Sequence, residues 1–262
     1  MRVLALDTTT RAGSVALVED DRIVLERDGD PSRTHAERLP REILSLLESA
    51  GLGCRDIDVF AVASGPGSFT GLRIGIATMQ GLAFVERRPI VPVSALEAHA
   101  QIASREVTAG TLVGAWMDAA RHEVFTALYR VAPSTRGGPD QVRLPPFDPN
   151  RLIEIEAPAV GDPQSTLDRW ATLVAGELIV LSGEGAVQYA ETIRSHASDR
   201  HLFELTEPAP LAGAIGLMAM ARARLGAMSG PAAVRPLYVR RPDAEIDRER
   251  KAFATTDTKN TK

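Results

Sequence analysis

The part of the sequence that most constrains the fold is Gly65-Pro66-Gly67-Ser68-Phe69-Thr70-Gly71, which continues as Leu72-Arg73-Ile74-Gly75. It follows an apolar run, Val59 to Ala63, which is typical of a strand covered on both faces. It leads into an apolar segment, Leu72 to Arg87, which we predict to be a helix. Another apolar run follows at Ile90 to Val93. This order of elements indicates parallel strands joined by a crossover helix.

The glycine-rich loop is a candidate anion site. Backbone N–H groups in such a loop at a helix N-terminus can converge on a phosphate. The candidate contacts are Gly65, Gly67 and Ser68. The loop is not a Walker loop, because no Gly-Lys-Ser or Gly-Lys-Thr ends it. The alternative interpretation is a tight strand-to-helix turn.

Two helices beside this strand are predicted to meet a partner. Thr34 and Glu37 have the spacing of a capping box, so we predict a helix at 34–50, in which Pro40 would cause a kink or a later start. The helix at 72–87 is apolar around most of its circumference, which indicates burial on more than one side. It is either central in its own domain or in contact with a partner. We expect the two helices to lie side by side and to present an outward apolar patch formed by Leu39, Ile43, Leu46, Leu72, Ile76 and Met79.

The sequence also contains a weak internal repeat. The strand Val3–Leu6 ends at Asp7, and a Thr-rich turn leads to a second strand; the strand Val113–Met117 ends at Asp118 and is likewise followed by a turn and a strand. Such a repeat is typical of a duplicated fold. We predict a subdomain at 1–108 that is completed by a helix at 211–226. A second subdomain is predicted at 109–207 with a loop at 133–150, followed by a disordered tail at 246–262.

Polar side chains collect where the first strand ends. Asp7, Thr8, Thr9 and Ser14 supply a carboxylate and several hydroxyls, which suit a hydrated Mg²⁺ beside a phosphate. With the glycine-rich loop they form a weak or vestigial nucleotide site. The alternative is a polar hairpin turn in which Asp7 caps its own backbone.

The composition is that of an ordinary globular protein and argues against several functions. The formal net charge is −4, and no lysine occurs before Lys251, so we expect no strong binding of tRNA by this chain alone. A single cysteine, Cys54, excludes an intrachain disulfide and a thiolate-cluster metal site. The start of the chain lacks signal-peptide architecture, and no run is apolar enough to span a bilayer. We therefore expect a cytoplasmic protein with no membrane partner.

Motifs along the chain resemble the signature of the TsaB family. The glycine-rich run is the most specific of them, and together they reach from the first strand to about Glu245. They are Leu4-Ala-Leu-Asp-Thr8, His35 with Leu39-Pro40, Gly65 to Gly75 with Ala77, Gly81 and Leu82, Met117-Asp-Ala119 with Glu123-Val124, and Pro236-Leu-Tyr-Val-Arg240 with Ala244-Glu245. The resemblance implies an actin-like or sugar-kinase-like (ASKHA) α/β fold, which is a duplicated ribonuclease-H-like architecture in two subdomains.

The same resemblance implies a function. TsaB-type chains are non-catalytic scaffolds, accessory subunits of the bacterial threonylcarbamoyl transferase complex. That complex forms N6-threonylcarbamoyladenosine in tRNAs that read codons beginning with A. The implied partners are a TsaD-like catalytic subunit, a TsaE-like ATPase and a second copy of the chain, with tRNA bound only through the complex. No cofactor of its own is implied; ATP or ADP with Mg²⁺ at or near the TsaD interface stays open.

A metal site is not predicted. TsaD-like relatives bind a metal through two histidines four residues apart on a helix. His35 stands at the corresponding helix start, but Pro31 and Leu39 occupy the positions four residues away. The sequence therefore lacks the second ligand.

The alternative function is an active actin-like ATPase or small-molecule kinase. Such an enzyme would use a second phosphate loop at a strand end, usually Asp followed by Gly and Thr. Asp118 is instead followed by Ala119 and Ala120. We therefore favour the scaffold, and we do not expect Asp7 to be essential for a catalytic step.

Overall fold

The computed structural model describes residues 1–133, 147–148, 150–174, 177–196, 203–206 and 209–240. Most of the loop predicted at 133–150 lies outside these residues. The tail predicted at 246–262 and the Ala244-Glu245 motif lie outside them as well.

The first half of the chain forms a five-stranded sheet and three helices. In chain order the elements are β1 (Arg2–Asp7), β2 (Ser14–Glu19), β3 (Arg22–Asp28), α1 (His35–Ser49), β4 (Val59–Gly65), α2 (Phe69–Val85), β5 (Ile90–Ser94) and α3 (Ala95–Ser104). The strands stand in the order β3-β2-β1-β4-β5. β1 pairs antiparallel with β2 and parallel with β4, which in turn pairs parallel with β5. The two parallel crossovers run through α1 and α2, and the sequence predicts the second of them.

The second half repeats this arrangement. Its elements are β6 (Leu112–Asp118), β7 (Val124–Val131), β8 (Leu152–Gly161), α4 (Pro163–Leu173), β9 (Ile179–Ser182), α5 (Glu184–Gln188), α6 (Ala190–His196), β10 (Phe203–Leu205) and α7 (Ala212–Arg224). The strand order is β10-β9-β6-β7-β8, so β6 to β10 correspond one by one to β1 to β5. Antiparallel and parallel pairings also correspond. This duplication confirms the actin-like α/β fold.

The helices form layers on both sides of each sheet. α1 and α2 pack on one face of the first sheet, over Leu4, Leu6 and Phe60. α7 packs on the opposite face, and α3 lies between α7 and the second sheet. On the outer face of the second sheet, Trp116 and Trp170 meet edge to face with ring centroids 5.9 Å apart. The inner faces of the two sheets, with α3 and α7 between them, belong to one apolar cluster.

Hydrogen bonds to neighbouring elements hold both ends of α7 in place. Ser14 Oγ and Glu26 Oε1 accept hydrogen bonds from backbone N–H groups in its first turn, at 3.0 and 2.6 Å. Near its end, Arg222 donates to both carboxylate oxygens of Glu97 on α3, at 2.8 and 2.7 Å. The bonds to Ser14 and Glu26 satisfy N–H groups that a helix start otherwise leaves unpaired and join α7 to the first sheet, and the Arg222–Glu97 pair joins it to α3.

The apolar patch predicted on α1 and α2 lies in the interior of the single chain. None of its six residues is more than 4% exposed, because both helices turn these side chains inward; they are Leu39, Ile43, Leu46, Leu72, Ile76 and Met79. The expectation that these six side chains form an outward patch is therefore wrong. The large apolar side chains that the two helices do expose include Leu44 (53%), Phe84 (77%) and Val85 (72%).

Some element boundaries also differ from the prediction. α2 begins at Phe69 rather than Leu72, because Ser68 Oγ accepts from the N–H of Gly71 at 3.2 Å and caps an earlier first turn. α1 runs through Pro40 as one helix. The sequence does not predict β8, whose pattern is interrupted by Pro158; an edge strand tolerates this proline because one side of the strand needs no N–H donors.

Candidate functional site

A cavity of about 690 Å³ opens between the two halves of the chain. It lies where β1 and β6 end, and ligands of open α/β folds bind outside the carboxyl ends of strands. Its walls are the turn after β1 (residues 9–11), the start of α2 with its loop (66–69 and 72), the turn after β6 (118–120), residue 125 on β7, α5 (184 and 188) and the C-terminal segment (237–240). This cleft is the candidate site.

The turn after β1 is closed by its own side chains. Asp7 Oδ1 accepts hydrogen bonds from the N–H and the hydroxyl of Thr9, at 2.8 and 2.7 Å. Asp7 is buried, and burial raises the pKa of its carboxyl above the ordinary 3.8, although the two bonds from Thr9 act in the opposite direction. This is the geometry of a self-capping Asx turn.

The glycines of the loop allow α2 to lie directly on this turn. A Cβ at Gly67 would come within 2.5 Å of Thr9 Cβ and 2.7 Å of the Thr9 carbonyl oxygen. A Cβ at Gly71 would overlap the carbonyl oxygen of Thr8, and one at Gly75 would overlap the Thr8 hydroxyl. Close approach of backbone to backbone therefore accounts for these three glycines.

Several N–H groups that could hold a phosphate are already used. The Ser68 N–H donates to the Thr9 carbonyl oxygen at 2.7 Å, and the Leu72 N–H donates to the Ser68 carbonyl oxygen at 2.8 Å. The Gly71 N–H donates to Ser68 Oγ and the Thr9 N–H to Asp7. These hydrogen bonds hold the loop against the turn and leave few donors for an anion.

The predicted nucleotide residues separate into two groups. Thr9, Gly67 and Ser68 line the cleft. Asp7 and Thr8 lie buried behind it, and Gly65 faces the C-terminal segment, where its Cβ would come within 2.8 Å of the Leu237 carbonyl oxygen. Ser14 caps α7, as described above. Their role in binding a nucleotide stays a prediction.

The turn after β6 has an unusual backbone. Ala120, Arg121 and His122 all have left-handed φ angles, of 55°, 56° and 61°, which few residues other than glycine adopt. Asp118 Oδ1 accepts from the Ala120 N–H at 3.0 Å, and the Ala119 N–H donates to the Glu123 carbonyl oxygen at 3.0 Å. This second turn is thus also closed by internal hydrogen bonds.

Several residues of the cleft lie outside the set predicted to bind a nucleotide. Phe69 and Tyr238 bring their ring centroids to 5.3 Å, and the Arg73 guanidinium lies 3.9 Å from the centre of the Phe69 ring. Glu184 enters from α5 in the second half. The family motif around Tyr238 is the one sequence signal for this segment, but the sequence does not show that it lines the cleft.

His35 stands at the start of α1 with both ring nitrogens engaged. Its Nε2 faces the Thr10 carbonyl oxygen at 3.0 Å, so this nitrogen donates, and Nδ1 accepts from Arg38 at 2.8 Å. Burial, followed by the charge of Arg38, lowers the pKa of His35. The ring is therefore held neutral, and it helps Arg38, which donates to the carbonyl oxygens of Arg11 and Ala12, to fix the turn after β1.

Two further properties of the described residues concern metal ions and membranes. Within the described ranges, no group of three or more His, Cys, Asp or Glu side chains is placed to hold a metal ion. Across the same part of the chain, no helix combines the length and the apolar character that crossing a bilayer requires.

Comparisons with known proteins agree with the motifs. A family model described as "TsaD: tRNA N6-adenosine threonylcarbamoyltransferase" matches residues 30–247. Proteins named "tRNA threonylcarbamoyladenosine biosynthesis protein TsaB" are 42% identical over 130 residues in Escherichia coli K12 and 33% identical over 130 residues in Bacillus subtilis 168. Each match covers 50% of this chain and 55% or 56% of the relative. The chain thus spans about half the length of the curated relatives it matches.

A solved structure extends the match. YeaZ from Pseudomonas aeruginosa is 30% identical, with a TM-score of 0.69, and the match covers 90% of this chain and 99% of that one. The family model covers more than half of the sequence, the curated relatives carry the name TsaB, and the solved relative is matched along nearly its whole length. The chain therefore belongs to the TsaB family.

Proposed function

We propose that this chain is a non-catalytic scaffold subunit in the formation of N6-threonylcarbamoyladenosine in tRNA. It binds a TsaD-like catalytic subunit and works beside a TsaE-like ATPase in the cytoplasm, and tRNA is bound through the complex. Membership of the TsaB family and the names of its relatives support the pathway.

The non-catalytic role rests on one observation. The turns after β1 and after β6 both use their N–H donors in hydrogen bonds within the chain. Phosphate transfer relies on donors and a metal ion aimed at the transferring group. In this chain the Ser68 and Thr9 N–H groups of the first turn, and the Ala119 and Ala120 N–H groups of the second, are bound internally. Asp7, the carboxylate that would hold Mg²⁺, is buried and bonded to Thr9.

The surface that fits a partner is the outer side of α1 and α2. Phe84 and Val85 are 77% and 72% exposed on α2, and Leu44 is 53% exposed on α1. Exposed large apolar groups on neighbouring helices favour association. Ala77 and Gly81, also exposed on α2, allow close approach of another helix. A second copy and a TsaD-like subunit with a similar helix pair would compete for this surface.

The proposed role is tested by reconstitution. Threonylcarbamoylation of tRNA by TsaD-like and TsaE-like subunits should require this chain, while the chain alone should turn over no ATP in the presence of Mg²⁺. Saturable ATP hydrolysis by the purified chain, lost on Asp7→Asn, would instead support the ATPase or kinase alternative.

The proposed surface is tested by introducing one glutamate on it and, as a control, one glutamate elsewhere. Phe84→Glu should weaken both self-association and TsaD binding by about a hundredfold or more, because a buried unpaired charge costs several kcal/mol. Leu173→Glu is the control, since Leu173 is 51% exposed on α4, in the other half of the chain. Sedimentation velocity measures both associations. If folded Phe84→Glu protein associates as the wild type does, the surface is not the interface.

A further inference from the structure

One wall of the cleft carries a fixed aromatic cluster formed by Phe69 and Tyr238. Phe69 and Tyr238 are still 41% and 38% exposed although their rings are in contact. Arg73 stacks on Phe69 and donates from Nε to the Tyr238 hydroxyl at 3.0 Å, which holds the cluster in place. Phe125 enters the same cavity from β7. Aromatic and guanidinium planes held in this way are the surfaces on which flat rings stack.

The part of the cleft wall that the second half of the chain supplies carries hydrogen-bond acceptors. Asp118, Glu184 and Gln188 line it. Behind Glu184 lies His99, only 3% exposed, with Nε2 3.5 Å from Glu184 Oε2. Neither ring nitrogen of His99 has a hydrogen-bond partner of good geometry in the described chain. Two carboxylates favour a ligand that brings hydroxyl or amino donors, and they repel a phosphate.

The cationic side chains on the cleft wall are directed elsewhere. Arg240 donates to the Ala119 carbonyl oxygen at 2.7 Å and pairs with Glu123. Arg11 turns its Nε to the Pro31 carbonyl oxygen at 2.6 Å. Together with the internal bonds of the two turns, this leaves the cleft poorly equipped to hold a triphosphate.

We propose that this cleft binds a nucleoside, with the base against Phe69 and Tyr238 and with hydroxyl or amino groups on Glu184 and Asp118, and that it does so without a phosphate subsite. The volume of about 690 Å³ lies in the usual range for pockets that take small organic ligands. This site is separate from the helix surface proposed for partners, and it does not depend on the scaffold role.

The first test compares adenosine with ATP–Mg²⁺ by calorimetric titration of the full chain. Adenosine should bind saturably, and ATP–Mg²⁺ should bind no more tightly. Glu184→Gln should weaken adenosine at least about tenfold, because a hydrogen bond to a charged group is lost. Phe69→Leu should weaken it about fivefold or more, because base stacking is lost. Glu191→Gln, an exposed site on α6, is the matched control and should change nothing.

The second test separates a free nucleoside from a base that is part of RNA. The probes are an RNA hairpin with one unpaired loop adenosine and the same hairpin with an abasic site there. Binding of adenosine alone indicates a free ligand, and binding of the intact hairpin but not the abasic one indicates a base within RNA; either supports the proposal. Equal binding of both hairpins, tenfold tighter binding of ATP–Mg²⁺, or no binding of any probe overturns it.

Discussion

Gly75 and Gly81 lie on different faces of α2, about 120° apart, and the same substitution should have opposite effects at the two sites. At Gly75 a Cβ would lie 3.0 Å from Thr8 Cγ2, 3.1 Å from Thr8 Cβ and closer still to Thr8 Oγ1. At Gly81 a Cβ would meet nothing within 4 Å. Alanine adds the same methyl group and the same helix propensity in both cases, so the difference isolates the contact with the turn.

The expected sizes follow from the packing. Alanine stabilises a helix interior by about 1 kcal/mol relative to glycine, and Gly81→Ala should gain about that amount. At Gly75 the gain is opposed by overlap with Thr8, which is fully buried and cannot move aside. Withdrawal of α2 would break the bond of 2.7 Å between the Ser68 N–H and Thr9. Overpacking costs about 3 kcal/mol at the upper end of its usual range, so Gly75→Ala should lose about 2 kcal/mol net.

Urea unfolding followed by circular dichroism measures both variants. The difference between them should be about 3 kcal/mol, or very roughly 5–10 °C in Tm for a chain of this size. Thr8→Ala in the Gly75→Ala background removes Oγ1 and Cγ2 and should recover at least half of the loss. If Gly75→Ala is as stable as Gly81→Ala, then α2 does not lie on the turn as closely as described, and the physical account of the glycine-rich loop is wrong.

Three further predictions concern the two turns and α7. Burial raises the pKa of Asp7, so the folded chain binds the proton of this carboxyl more tightly than the unfolded chain does. Protonation of Asp7 therefore stabilises the folded chain fully below pH 3.8, and this contribution is lost as the pH rises through the raised pKa. Asp7→Asn should therefore gain stability relative to the wild type as the pH rises, which urea titrations at several pH values would reveal, and a relative loss would show that the carboxylate is favourable. Ser14→Ala should cost about 1 kcal/mol of unfolding free energy, because α7 loses an N-terminal cap; calorimetry would detect it, and no change would mean that water replaces the bond. Ala120→Gly should raise stability by about 1 kcal/mol, because the left-handed φ of 55° strains alanine but not glycine; a lower Tm would contradict this.

Much of the fold could be read from the sequence because its signals are local. Continuous apolar runs identify the central strands β1, β4 and β6, and the order of elements indicates the parallel crossover from β4 through α2 to β5. β8 escapes such reasoning, since Pro158 and alternating glutamates obscure its pattern. β10 has three residues, which is too short for a periodicity to be seen. Both are edge strands, where the demands on the sequence are weakest.

The orientation of α2 could not be read in the same way. A helix with apolar residues around most of its circumference looks the same from every side, so Met79 and Ile76 fit a partner interface as well as a core. The glycines determine which side of α2 faces the core, because Gly71 and Gly75 must face the turn after β1. That turns Met79 inward and leaves Phe84 outside. The glycines are visible in the sequence, but the surface they meet is not.

The site shows the same limit. Carboxylates and hydroxyls at a strand end commonly bind metal and phosphate, so the sequence alone leaves the residues around Asp7 open between a ligand site and a self-capped turn. The structure pairs Asp7 with Thr9, and Ser14 with the first turn of α7. Such pairing depends on long-range packing, since Ser14 and α7 lie almost 200 residues apart in sequence. Glu184 and Tyr238 reach the cleft for the same reason.

The two halves share a strand order but differ in how their turns are closed. In the first half, glycines allow α2 to pack directly on the turn after β1, and the Ser68 N–H donates to the Thr9 carbonyl oxygen. In the second half, the turn after β6 is closed by three left-handed residues and by the bond from the Ala120 N–H to Asp118. A site that holds ATP in this fold needs open donors on both sides of the cleft at once, so restoring either turn alone would leave the other closed. Single substitutions in these turns should therefore alter stability without creating ATP turnover, and a single substitution that did create it would refute the account given for both turns.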